Sequence, residues 1–539
     1  LFEELEDETG QATGYRAPGS ISVASDSERW EELLRGISMA STVGVEIREI
    51  GMDELREMVP LLRTDDLVGA LYIPKDGQTS PVDTTMALAK GARNGGATIV
   101  EGIAVARLLK DGDRCVGIET EDNQIVNAET VVMAAGMWTR HLAETIGVKV
   151  PLQACEHFYI VTEPLEGAER GMPIVRDPSN YTYFKEETGK IMAGVFEPQA
   201  KIWNLDGIPR DFCFGTLPED WDHIGPIFEA ACRRMPALSE AGLQLFFNGP
   251  EAFTPDGTFY LGESPEMDRC FVAAGFNSVG IQTAGGAGWV MADWIIDGYP
   301  PMDLSGVDIR RAFPFQNDRS YLQERISESL GLLYAMHWPF RQYESARGIR
   351  KSALHGVLSA VGAVFGETAG WERPNWFANE GQLGEYDYSY GKQNWHENMR
   401  AECDAVRTAV GIFDQSSFAK FSVSGPDALA VLERLSANSI DVPPGRAVYT
   451  QWLNDRGGIE ADLTVTRLDG DIFWVVTSAA SQTRDWAWLR RGCREHDVRI
   501  SDITDDWSVL GVMGPNSRAL LQSLTETDLS KDAFEFGAM

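Results

Sequence analysis

Long apolar runs are missing from this sequence: the longest nearly unbroken one, LHGVLSAVGAVFG from Leu354, is too short to cross a bilayer. Positive charge is scarce as well. With 47 Lys and Arg against 81 Asp and Glu, the net charge is -34, which opposes nonspecific binding to nucleic acid or to an anionic membrane. An anionic ligand must therefore be held by local groups. The seven cysteines, at 115, 155, 213, 232, 270, 403 and 493, are scattered, odd in number and form no CxxC pair, which fits a reducing compartment and argues against zinc or iron–sulfur binding. The seven histidines show no HxxxH or other metal spacing, and GxGxxG occurs nowhere. The first residues, LFEELEDETGQATGYRAPGS, lack the cationic and apolar regions of a signal peptide.

What is present is ordinary globular composition, 43% hydrophobic and 24% charged, in 539 residues, a length that predicts two or three domains. The first three hundred residues read as α/β. PVDTTMALAKGARNGG (81–96) has helical apolar spacing and ends on paired glycines, and ATIVEG behind it reads as a buried strand. TVVMAAG (130–136) is a further strand. FYIVTEP (158–164), YTYFKEE (181–187) and KIMAGVFEP (190–198) predict an antiparallel sheet over a ligand site, and 215–240 predicts a helix. The arginine- and aromatic-rich stretch 301–352 reads as a connecting domain between an α/β domain at 1–300 and an α+β domain at 353–539.

FVAAGFNSVGIQTAGGAGWVMADWIIDG (271–298) reads as strand, glycine-rich turn and helix. Small residues at a strand end and an open helix N-terminus present unpaired N–H groups to a ligand, while glycine leaves the backbone approachable. Tight packing of strand on helix explains one such element; AAGMW at 134–138 supplies a second.

Together with LYIPKDGQTSPVDTTMALAKGARNGGATIVEG and TVVMAAGMWTRHLAETIGVKVPLQACEHFYIVTEP, these stretches make the chain similar to the D-amino-acid-oxidase superfamily of flavoproteins, in particular the dimethylglycine and sarcosine dehydrogenases. GAVFGETAGWERPNWF (362–377), GIFDQSSFAKFSVSGPDA (411–428) and LNDRGGIEADLTVTR (453–467) resemble the folate-binding domain of the glycine-cleavage aminomethyltransferase. The resemblance implies an FAD-binding Rossmann-like domain with an antiparallel substrate sheet, followed by that folate domain. It also implies that the phosphate loop and a flavin-linking histidine precede the region similar to Leu1, and that the folate domain ends early, so the chain reads as a fragment.

The implied activity is FAD-dependent oxidation of the N-methyl group of dimethylglycine or sarcosine, with the one-carbon unit passed to tetrahydrofolate. His157 and Tyr183 match the substrate side of the flavin, where the amine must react unprotonated. A histidine on an apolar strand equally serves as a satisfied core residue, and Tyr159, Tyr181 and Tyr183 as packing aromatics. The resemblance assigns Ala135, Gly136, Trp138, Gly275, Asn277, Gly280, Ile281 and Gln282 to FAD, and Tyr449 and Asp462 to folate, with Asp462 as the acid that assists the folate nitrogen; a turn aspartate capping amides is the alternative. Arg446, Arg456 and Arg467 are candidate partners for the folate glutamate tail, and Trp371 and Trp376 are core or cavity wall. The implied electron acceptor is an electron-transfer flavoprotein or oxygen, and the implied compartment bacterial cytoplasm or mitochondrial matrix. The competing readings are a folate-dependent methyl or aminomethyl transferase with a non-redox flavin-like domain, and a noncatalytic binding protein.

Overall fold

Period-two alternation in the short strands of the first half decides the architecture. In the computed structural model, which describes residues 1–539, eight strands form one sheet in the order Leu243–Phe253, Gln153–Thr162, Ile191–Val195, Thr182–Glu186, Ile174–Asp177, Ser20–Ala24, Gly69–Ile73 and Arg48–Ile50. All neighbouring pairs are antiparallel except Ser20–Ala24 with Ile174–Asp177. In Thr182–Glu186 the side chains of Thr182, Phe184 and Glu186 are buried on one face, which leaves Tyr183 and Lys185 on the other. Phe184, Ile160, Val175, Ala193 and Ile191 make the apolar face, and they pack with Ala231 of the helix Trp221–Arg234 and with Met235 and Leu238 behind it.

That helix is pinned by its last residue. Arg234 is almost fully buried, with Nε 2.6 Å from Asp177 Oδ2 and Nη1 2.7 Å from Asp66 Oδ1. Asp177 has no exposed surface, so the guanidinium is the group that makes its burial tolerable.

A second sheet joins Tyr260–Glu263, Cys270–Ala274 and Val131–Met133, the last pair parallel. The helix Gly280–Asp297 lies on it through Ala287, Val290, Met291 and Trp294, spaced at i, i+3, i+4 and i+7 as one helical stripe. Gly262 permits this contact: a Cβ there would stand 2.4 Å from Trp294 Cη2. Helix Pro81–Asn94 forms as expected, whereas Ala97–Gly102, predicted as a buried strand, is irregular and exposed because no strand hydrogen-bonds to it. The predicted strand 130–136 ends at Met133, and Gly136–Trp138 is a single 3₁₀ turn.

The chain divides into two compact units, Leu1–Ile309 with Pro314–Pro339, and Arg310–Phe313 with Phe340–Met539. The second is built on a five-stranded antiparallel sheet ordered Arg446–Leu453, Ile459–Asp469, Ile472–Thr477, Ala419–Ser424, Arg499–Asp502. Its core gathers Phe421, Trp452, Val465, Phe473 and Val475 with Val431, Leu432 and Leu489 of the helices Ala428–Leu435 and Gln482–Gly492. No helix of the chain is long and apolar enough to cross a membrane.

Candidate active site

The unpacked face of the eight-stranded sheet becomes the wall of a cavity. Register places Phe247 opposite Tyr159, Tyr159 opposite Gly194, Gly194 opposite Tyr183 and Tyr183 opposite Arg176, so these five residues form one row across five strands. The row works only because its middle member is glycine: a Cβ on Gly194 would fall 2.1 Å from Tyr183 Cζ and 2.3 Å from its hydroxyl. The Tyr183 ring lies over that bare backbone, and burial pushes its hydroxyl pKa well up, so it is a neutral donor.

The cavity holds about 760 Å³ and is lined by Tyr183, Arg176 and Lys185 from the sheet, by Lys75–Thr79, by Phe196 and Tyr334, and by Glu251 with Asn277–Gln282. Phe196 and Tyr334 stack with centroids 4.3 Å apart, and burial raises the Tyr334 hydroxyl to about 12. Lys185 is spent on Glu187 at 2.8 Å, whereas no acid pairs with the guanidinium of Arg176.

The glycine-rich turn supplies a further part of the lining. Gly275, Asn277 and Ser278 all have positive φ, at 69°, 49° and 63°. Side-chain bonds hold this strained path: Asn277 Oδ1 accepts from Thr254 N at 2.8 Å, and Glu251 accepts from Ser278 N at 2.9 Å and from Ser278 Oγ at 2.6 Å. No side chain caps the helix that follows, so its first N–H groups, at Gly280, Ile281 and Gln282, face the cavity with the positive end of the helix dipole.

His157 stands beside this cavity without lining it. Its ring tilts against Phe196 at 4.9 Å and its Nδ1 is 3.8 Å from Oε2 of Glu197, and burial lowers its pKa, favouring the neutral imidazole. Of the positions assigned to flavin in the sequence, Asn277, Gly280, Ile281 and Gln282 meet Tyr183 at the cavity, while Ala135, Gly136, Trp138 and Gly275 are outside its lining. Sequence reasoning missed Arg176, Gly194, Glu197 and Glu251. An arginine alternating with buried Val175 and Asp177 was the available signal for Arg176; the other three carry none.

In the second unit Tyr449, Gln451, Asp462 and Thr464 share one face of the paired strands Arg446–Leu453 and Ile459–Asp469. Gln451 Nε2 donates to Asp462 Oδ1 at 2.9 Å, and the hydrogen-bonding Asp462 carboxylate pushes the exposed Tyr449 hydroxyl up. Asp462 caps no turn: it lies within the strand. Arg446 and Arg467 are engaged by Glu535 at 3.3 Å and Asp441 at 2.8 Å, and Trp371 and Trp376 are buried in the core.

Comparison with known proteins gives the families that the chain matches. Residues 1–294 match the FAD dependent oxidoreductase family, 297–352 the FAD dependent oxidoreductase central domain and 354–539 the GCVT N-terminal domain. The 4-methylaminobutanoate oxidase (formaldehyde-forming) of Paenarthrobacter nicotinovorans is 43% identical over 533 residues, covering 99% of this chain and 64% of that protein. Human mitochondrial sarcosine dehydrogenase is 34% identical over 581 residues, covering 99% and 63%. The chain thus spans less than two thirds of either relative's length. In fold, the L-proline dehydrogenase from P. horikoshii superposes with a TM-score of 0.50 over 57% of this chain and 80% of that one, at 24% identity. The chain belongs to the FAD dependent oxidoreductase family and joins that fold to a GCVT N-terminal domain in one polypeptide.

Proposed function

We propose that this chain carries the oxidation and one-carbon sites of an enzyme that removes an N-methyl group from a small amino acid and passes the carbon to tetrahydrofolate. The substrate is dimethylglycine, sarcosine or a longer-spaced methylamino acid of the 4-methylaminobutanoate type. The carrying observation is the cavity itself, where an unpaired guanidinium, Arg176, lies in register with the neutral hydroxyl donor Tyr183 and shares the lining with an uncapped helix terminus.

Flavin suits this cavity on two grounds. Its volume falls within the ~300–1,000 Å³ usual for cofactor sites. The free N–H groups of Gly280, Ile281 and Gln282 are donors for a ring carbonyl and favour negative charge. Asn277, Gly280, Ile281 and Gln282 would hold the flavin, while Ala135, Gly136, Trp138 and Gly275 lie outside the lining of this cavity. When bound, FAD supplies the hydride acceptor for the N-methyl carbon.

The chain's own residues do the rest. Arg176 binds the substrate carboxylate, a charge-assisted pair that a protein of net charge -34 offers nowhere by general attraction. Tyr183 orients the amine in its neutral form from the cavity wall, and His157 acts from beside that wall, where its ring packs on the lining residue Phe196. Stacked Phe196 and Tyr334 give the cavity an apolar side, against which an iminium product is less hydrated than in bulk water. Asp462, with Tyr449 beside it, assists the folate nitrogen in the second unit.

The test is amine-dependent bleaching of the flavin without oxygen, comparing sarcosine, dimethylglycine, 4-methylaminobutanoate and betaine. A secondary or tertiary N-methyl amine should bleach it, and betaine, whose quaternary nitrogen has no lone pair, should not. A flavin that no N-methyl amino acid reduces would overturn the oxidase reading and leave the transferase one.

A further inference from the structure

Beside the cavity lies a carboxyl group that the proposed chemistry does not use. Glu197, just beyond the strand Ile191–Val195, is 1% exposed, and neither of its oxygens has a hydrogen-bond partner; His157 Nδ1, 3.8 Å away, is equally buried and unpartnered. Two orphaned groups face each other.

The surroundings decide which protonation state they share. Glu156, on the His157 strand, is held by Lys201 at 3.3 Å and by Asn248 at 2.6 Å, and Lys201 also pairs with Asp220 at 2.7 Å. Glu251, from the neighbouring strand, is held by Ser278. From the helix Arg319–Gly331, Leu322, Ile326 and Leu330 pack with Cys155, Phe196 and Phe253 and close the site with apolar surface. Glu197 is thus set among Glu156, Glu251 and a thiol, with no cation to pair with. A buried carboxylate without donors costs several kcal/mol. Moving the proton to His157 would place two ions in the same dry site. A neutral pair removes both penalties, since one O–H donor satisfies one ring nitrogen after a closure of roughly 1 Å. Burial, aided by Glu156 and Glu251, accordingly raises the Glu197 carboxyl to about 8.

We propose that Glu197 is a positioning residue: a neutral carboxylic acid whose O–H donates a hydrogen bond to Nδ1 of His157 and so fixes the imidazole as the Nε2–H tautomer. Resting on the functional reading above, this leaves the Nε2–H of His157 as a donor beside the cavity, behind the lining residue Phe196, and it removes His157 as the acceptor of the ammonium proton. No bond is broken in this role and no net proton moves.

The test uses the flavin-loaded protein at neutral pH. The infrared difference between parent and Glu197→Gln should show loss of a protonated carboxyl stretch; loss of an ionised carboxylate band instead would overturn the proposal. Nitrogen-15 spectra, with His157 assigned through His157→Gln, should show Nδ1 as acceptor and Nε2 protonated; the reverse tautomer or an imidazolium would also overturn it. Kinetically, Glu197→Gln should keep flavin reduction within about threefold, because its amide N–H replaces the acid O–H. Glu197→Leu should lose about ten- to a hundredfold, as when an orienting partner of a functional histidine is removed. Equal losses in the two variants would mean that the charge of Glu197 is needed, and the proposal fails. If the spectra come out as expected but His157→Ala reduces its flavin at the parent rate, the Glu197–His157 pair stands and the role of His157 in the reaction falls.

Discussion

Replacing Glu197 with Gln should change how the stability of the first unit depends on pH. A free glutamate titrates at 4.5 and Glu197 at about 8, because burial removes the water that would solvate its charge. Between those values the folded protein holds a proton that the unfolded chain has released. Stability therefore falls as pH rises through that window, by about 1.4 kcal/mol per pH unit. Gln at 197 has no such proton, so from pH ~5.5 to ~7.5 the parent should lose on the order of 2 to 3 kcal/mol relative to the variant. The linkage of His157 runs the other way: its folded pKa lies below the usual value, so its contribution grows with pH, and since both proteins keep it, it cancels in the difference to first order. The assay is hydrogen exchange with mass spectrometry across a urea series at several pH values, read on peptides covering Gln153–Thr162 and Ile191–Val195. Parallel stability curves for parent and variant would refute the reasoning, and so would a gap that closes as pH rises.

Gly194→Ala should evict the Tyr183 ring and slow flavin reduction about a hundredfold or more, with little further loss when combined with Tyr183→Phe; stopped-flow kinetics of the single and double variants check the non-additivity. Arg176→Met should raise KM for carboxylate-bearing amines and leave kcat less affected, while an N-methyl amine without a carboxylate should bind both proteins alike. Arg234→Met strands Asp177 without its buried partner and should cost about 3–5 kcal/mol, read by thermal unfolding. Asp462→Ala should leave amine-dependent flavin reduction intact and increase free formaldehyde relative to methylenetetrahydrofolate; unchanged product ratios would return Asp462 to a structural role.

Much of the first unit was legible in the sequence, because its signals are local. The glycines of AAGFNSVGIQTAGG and the apolar stripe behind them specify turn and helix through nearest-neighbour backbone and side-chain preferences, and the alternation in YTYFKEE specifies a strand with two unlike faces. The fused order of the two units was legible from motifs of similar kind. Ala97–Gly102 marks the limit: six residues of strand-like composition stay irregular, since a strand exists only where another chain segment accepts its hydrogen bonds. The site residues lie beyond the same limit. Arg176, Tyr183, Gly194 and Tyr159 become one row through strand register, which depends on which segments pair and in what phase. The state of Glu197 is still less local. Its carboxyl keeps its proton because Lys201 is engaged by Glu156 and Asp220 and apolar side chains of a helix more than a hundred residues away exclude water, and a proton's free energy sums over every neighbour that folding assembles.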